Sequence, residues 1–160
     1  MPYSVQVEGM KEISDMLAKL GDKSTAAAAS GLYDGAGVMA GEIQQKAGSI
    51  STAPFHYAVF ITREPSPEEK EIVQQGIGIA KFNKNGSEVN TSVGYGNAGY
   101  AMLAGKQKAV AQIANAINSG TSFMKKQPFV RNAVASARRK SEEAIVKTIE
   151  SKFNEIINNK

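Results

Sequence analysis

Along this chain the hydrophobic positions change period several times, and each change marks an element. Ser4-Val5-Gln6-Val7-Glu8 alternates polar and apolar residues, which predicts a half-buried strand ended by Gly9. Met10, Ile13, Leu17 and Leu20 follow at spacings of three and four, predicting an amphipathic helix stopped by Gly21. With Asp22 or Ser24 as its cap, a second helix runs to Lys46 or Ala47, its stripe formed by Ala28, Leu32, Ala36, Met39, Ile43 and Ala47. Ile77, Ile79 and Lys81-Phe82 precede Asn83-Lys84-Asn85-Gly86, and Val89, Thr91 and Val93 come after; Asn-Gly between such segments marks a hairpin. Gly94 to Tyr100 reads as a flexible turn, and an Ala-rich helix is expected from Lys106 to Asn118 with Gly120 as its stop. Pro128 then occupies a helix start, where no amide donor is needed. Beyond it Val130, Val134, Ala137, Ser141, Ile145, Thr148, Lys152 and Ile156 trace one stripe, with Phe129, Ala133, Ala144, Ile149, Phe153 and Ile157 beside it.

These elements predict an α+β protein. A small antiparallel sheet, including a β-hairpin near 76–95, packs with a long N-terminal helix and a long C-terminal helix. A single domain over 1–160 is expected, with mobile loops near 48–71 and 84–105. Pro54, Pro65 and Pro67 interrupt the first of these loops; Tyr57 to Ile61 is a candidate short strand there, and Glu64 to Glu71 reads as an exposed acidic loop or a short helical turn. The terminal helix of roughly 30 residues would be about 45 Å long. That exceeds what a domain of this size covers, so part of its apolar flank is expected to meet another subunit.

The second helix also contains Gly31, Gly35, Gly37 and Gly41, each costing about 1 kcal/mol relative to Ala in a helix interior. Gly31 and Gly35 share a face, where a missing Cβ lets another backbone approach. We read this as close packing against a neighbour; a break in the helix is the alternative.

Composition narrows the functional classes. Apolar residues at 42% and charged residues at 21% suit a globular domain, and the absence of cysteine excludes disulfides and thiolate metal sites. MPYSVQVEG lacks a signal-peptide pattern, and no apolar run approaches the roughly 20 residues of a spanning helix, so no membrane contact is expected. From Lys125 onward nine Lys/Arg face four Glu. That basic segment makes nucleic-acid binding through Lys125, Lys126, Arg138, Arg139 and Lys140 the competing function, although Glu142, Glu143, Glu150 and Glu155 dilute its field.

Catalytic patterns are poor. His56 is the sole histidine and lies beside Phe55 and Tyr57, with no nucleophile-elbow sequence to accompany it. Gly94, Gly96 and Gly99 have dinucleotide-binding spacing, but they follow a hairpin and no Asp or Glu occurs between Val89 and Lys140. Neither enzymatic activity nor a cofactor or metal is expected.

One run is more informative. Ser119-Gly120-Thr121-Ser122, a basic spacer, and Gln127-Pro128-Phe129-Val130-Arg131-Asn132-Ala133 resemble the sequence that leads into the last helix of tailed-phage neck and tail-completion proteins, a family that includes minor tail components. The N-terminal Val7-Glu8-Gly9-Met10-Lys11-Glu12-Ile13, a strand, a glycine and a helix, is similar too. The likeness covers the two ends, about half of the chain. Asn118-Ser119 departs from the Glu-Phe usual before Gly-Thr, and Thr52-Ala53-Pro54-Phe55 departs from the pattern after the long helix. The resemblance implies a structural subunit of the virion, assembled in the host bacterial cytoplasm. It implies a ring of copies, often six, contacting neighbouring neck, connector and tail-tube or terminator proteins, with at most weak contact to passing DNA. Gly31, Gly35, Gly120, Thr121, Pro128, Phe129 and Arg131 are the expected architectural or interface residues, Arg131 as an intersubunit ion pair or a solvated side chain.

Overall fold

The computed structural model describes residues 21–53, 62–86 and 88–158. The expected strand Ser4–Glu8, the helix from Met10 to Leu20, His56 and the candidate strand Tyr57–Ile61 lie outside the described residues. In chain order the elements are α1 (Asp22–Gly48), α2 (Pro67–Gln75), β1 (Gly78–Ile79), β2 (Asn83–Asn85), β3 (Glu88–Asn90), β4 (Val93–Gly94), β5 (Tyr100–Leu103), β6 (Lys106–Ala109), α3 (Val110–Ser119) and α4 (Phe129–Asn158). The class is α+β, with two long helices and small antiparallel ladders, as the periodicities predict.

α1 runs unbroken through Gly31, Gly35, Gly37 and Gly41. Gly21 is its N-cap, without a side-chain cap; the hydroxyl of Ser24 donates back to the Gly21 carbonyl. Each residue of the predicted stripe from Ala28 to Ala47 is buried. α4 lies antiparallel against α1, and three side-chain bonds mark the register: Ser136 Oγ donates to Glu42 Oε1 (2.7 Å), Ser141 Oγ to the Gly35 carbonyl (2.8 Å), and Thr148 Oγ1 to Asp34 Oδ2 (2.6 Å). Phe129, Val130, Ala133, Ala137, Ile145 and Ile149 are buried along this contact. Phe153 packs with Leu32, Phe82 and Val89 near the far end. Much of the apolar flank of the terminal helix is thus covered within the chain by α1 and the hairpin; Val134, Phe153 and Ile156 are half-buried, and Val146 is the one large apolar residue of α4 that stands exposed among those described.

The hairpin over 78–94 is a ladder with one irregularity. Gly78 and Ile79 pair with Gly94 and Val93, and Asn83, Lys84 and Asn85 pair with Asn90, Val89 and Glu88. Ala80 accepts from Thr91 Oγ1 and donates its amide to Ser92. Between these two sections the first strand carries one more residue than its partner, a bulge that re-aims Phe82 and Val89 toward α1. Gly86, rather than Asn85, takes the positive φ of the turn, since Asn85 is still paired with Glu88.

Two segments differ from their predicted form. Lys106–Ala109 is a strand and α3 begins only at Val110, because the Ala104-Gly105 turn, both residues at positive φ, folds Lys106–Ala109 back onto Tyr100–Leu103. The expected loop at 84–105 thus carries β3, β4 and β5. The acidic stretch Glu64–Glu71 contains a helix start with a full capping box: Ser66 Oγ accepts from the Glu69 amide (3.1 Å) and Glu69 Oε2 accepts from the Ser66 amide (2.9 Å), with Pro67 in the first turn.

Candidate interaction surface

The glycines of α1 divide by what surrounds them. A Cβ on Gly31 would stand 2.7 Å from Ile149 Cγ1 and 3.0 Å from the Ile145 carbonyl. On Gly35 it would overlap Ile145 Cγ1 and lie 3.0 Å from the Ser141 carbonyl. The close approach predicted for this pair is therefore real, but the neighbour is α4 of the same chain. Gly37 and Gly41 have nothing within 4 Å of such a Cβ. Gly37 lines a shallow open groove with Tyr33, Val38, Lys147 and Thr148 on the outer side of the helix pair.

The run that carries the family resemblance builds one corner. Gly120 ends α3 at φ +77°, a conformation that favours glycine, and its amide donates to the Ala116 carbonyl. Thr121 closes a tight turn: its Oγ1 accepts from the amides of Phe123 (3.2 Å) and Met124 (3.0 Å). Pro128 sits just before α4, one residue earlier than predicted, and its carbonyl accepts the first helical bond from Asn132. Phe129 is buried and meets Tyr95 edge-on, with centroids 6.3 Å apart. Burial pushes the Tyr95 phenol up, and its hydroxyl has no hydrogen-bond partner among the described residues. Arg131 is exposed and forms no ion pair among the described residues.

Sequence reasoning missed the residues that hold this corner. Asn118 Oδ1, buried at the end of α3, accepts from the Val130 amide (3.1 Å) and so satisfies a free donor in the first turn of α4. Gln127 bonds to both backbone groups of Ser51 and donates to Glu64 Oε2 (2.8 Å), while its own amide donates to Ile117. Arg63 joins the corner through its backbone, donating to the Phe123 carbonyl and accepting from the Lys125 amide. Its guanidinium grips Glu69 with two bonds of 2.6 Å. Burial alone would raise the Glu69 carboxyl; the Arg63 bonds, the Ser66 amide and nearby positive charge outweigh it and hold the carboxyl below its usual range. The only sequence signal for this set was Ser66-x-x-Glu69 after an Arg, a spacing that serves the capping box and the ion pair together.

Phe123 of this corner is 78% exposed, and on β5 Tyr100 is 71% and Met102 61% exposed. The basic C-terminal segment is partly neutralised. Lys125 pairs with Glu64 at 2.8 Å, and Arg138 and Arg139 pair with Glu142 and Glu143 one helical turn on. Among the described residues no cluster of His, Asp or Glu is placed to hold a metal, and no helix is long and apolar enough to cross a membrane. No protein-family model, curated protein or solved structure matches the chain.

Proposed function

We propose that this protein is a structural subunit of a bacteriophage or phage-like particle, one copy of a ring that joins or completes the tail at the head–tail interface. Support comes from the resemblance of Ser119–Ala133 to the neck and tail-completion family, together with what that run builds. Its Gly, Thr and Pro-Phe positions form a hydrogen-bonded corner whose centre, Phe123, is an aromatic side chain presented to the outside. That last observation carries the reading, because an exposed aromatic on a rigid support is how subunits anchor to neighbours. The seat at Gly31 and Gly35 serves the fold of each copy, and the contacts to neighbours fall to the corner and the strands.

Nucleic-acid binding through the basic segment has less support. Three of its five cations, Lys125, Arg138 and Arg139, already face carboxylates, which weakens their pull on phosphate. Mass spectrometry of purified particles from a producing strain tests the structural reading, with this chain expected as a stoichiometric component. In a strain lacking it, heads and tails should accumulate unjoined. Particles that are complete and functional without the chain would overturn the reading.

A further inference from the structure

Asp34-Gly35 and Asn85-Gly86 are the places in this chain where an Asp or Asn precedes glycine. The main-chain nitrogen after such a residue is within reach of its side-chain carbonyl carbon, and glycine sets no Cβ in the way. The fold treats the two pairs oppositely. Gly35 lies inside α1, where its amide is committed to the helix and a Cβ would overlap Ile145. Asp34 Oδ2 accepts from Thr148 Oγ1 (2.6 Å), which fixes the carboxylate as well. Asn85 and Gly86 instead stand exposed at the end of the β2–β3 hairpin. Lys84 is opposite Val89, which packs toward α1, so Asn85 and its partner Glu88 occupy the outward face. Among the described residues the Asn85 carboxamide forms no hydrogen bond, and the Gly86 amide donates to no backbone carbonyl. A Cβ on Gly86, at φ +62°, would meet nothing within 4 Å.

We infer that Asn85 is a self-modification site, converted to aspartate and isoaspartate by the backbone nitrogen of Gly86. That nitrogen gives up its proton to base and bonds to Asn85 Cγ, while the Cγ–Nδ2 bond breaks and ammonia leaves. One water then opens the succinimide. Breaking the new bond to Cγ yields aspartate; breaking the original peptide bond yields isoaspartate. No oxidant or partner is needed. Either product sets a carboxylate across from Glu88, a like-charge pair that weakens the ladder. Isoaspartate also lengthens the main chain by one carbon, which disturbs the register that holds Phe82 and Val89 against Leu32 and Phe153. The site goes beyond the ring proposed above; neither depends on the other.

Ageing the purified full chain in mildly alkaline, heavy-oxygen water, followed by peptide mass spectrometry, tests the site. The peptide containing Asn85 should exchange NH for heavy oxygen, at a rate that rises in proportion to hydroxide. That rate should stay within about tenfold of the rate in denaturant, since a hairpin end opens at almost no cost. Asp34 should isomerise in denaturant only. The converted chain, separated by its added negative charge, should melt about 2–4 °C lower. Gly86→Ala should suppress the reaction; because its positive φ strains alanine, Asn85→Gln, which leaves the backbone alone, is the second variant and should suppress it too. Conversion no faster at Asn85 than at Asn83 or Asn90, which precede Lys84 and Thr91, overturns the inference. Conversion confined to denaturant, or unslowed in Asn85→Gln, overturns it equally, and a converted chain that melts with the native one overturns the link to α1 packing. Particle composition is a separate measurement, so failure here leaves the virion reading to its own test.

Discussion

The α1–α4 pair and the β5–β6 hairpin dispose of apolar surface in opposite ways. Along the helices the central apolar side chains of the shared stripe, Leu32, Met39, Ile43, Ile145 and Ile149, are buried by the same chain, to the point that Gly31 and Gly35 have no room for a methyl group. On the hairpin Tyr100 and Met102 face outward without cover. A contact made inside one chain is present in every folded molecule, so it can tighten until backbones touch. A surface meant for a partner must stay accessible and must tolerate water while it waits. The difference separates apolar surface that holds this protein together from apolar surface that the described chain leaves uncovered.

Substitutions can break that comparison, and the largest effect is expected at the helix seat. Gly35→Val would force a branched side chain into Ile145 and the Ser141 carbonyl, costing about 3 kcal/mol by overpacking. A lowered denaturant midpoint at unchanged slope would register it. An unchanged midpoint would mean that the two helices do not touch at this point.

Next comes the ion pair beneath the corner. Arg63→Ala leaves the Glu69 carboxylate buried without its partner and is expected to cost about 2–3 kcal/mol. The same pair has a pH signature. The carboxyl of folded Glu69 lies below its ordinary value of 4.5, so its contribution to stability is complete well above that pH. The contribution is lost as pH falls from 4.5 through the lower folded value. Glu69→Gln should flatten the acid limb of stability measured by melting across pH 2–6, roughly the window of carboxylate titration.

Smaller effects sharpen the contrast. Gly37→Ala, in the same helix as Gly35 but beside open space, should stabilise by about 0.5–1 kcal/mol through helix propensity alone. At the other extreme, Tyr100→Ser with Met102→Ser should change monomer stability by less than about 0.5 kcal/mol, because those side chains contribute little to the fold. A large loss of melting temperature in that double variant would show that the hairpin face is part of the core after all.

Much of the fold was legible in the sequence. The α1 stripe, the hairpin near Gly86 and the start of α4 close to Pro128 all follow from local patterns that need no partner. The corner was legible only as a string of residues. Gly120, Thr121 and Phe129 were marked, but Asn118, Gln127 and Arg63 were not, because their partners lie far along the chain. Gln127 meets Ser51 across 76 positions, and no local spacing encodes that. Lys106–Ala109 was read as helix because its composition suits one; the positive-φ turn at Ala104-Gly105 made it a strand through pairing with Tyr100–Leu103.

By itself the sequence determined which face of each long helix is apolar, that the chain reverses at Gly86, and that Val89–Lys140 carries no negative charge. Only the tertiary structure decided what covers those faces. The Gly35 carbonyl and the Ser141 hydroxyl meet across 106 positions. Period reports the orientation of a side chain about its own axis, whereas cover depends on which distant segment packs there. For that reason much of the flank of α4 that read as surplus is covered by α1, and among the described residues the most exposed apolar side chains are Phe123, Tyr100 and Met102.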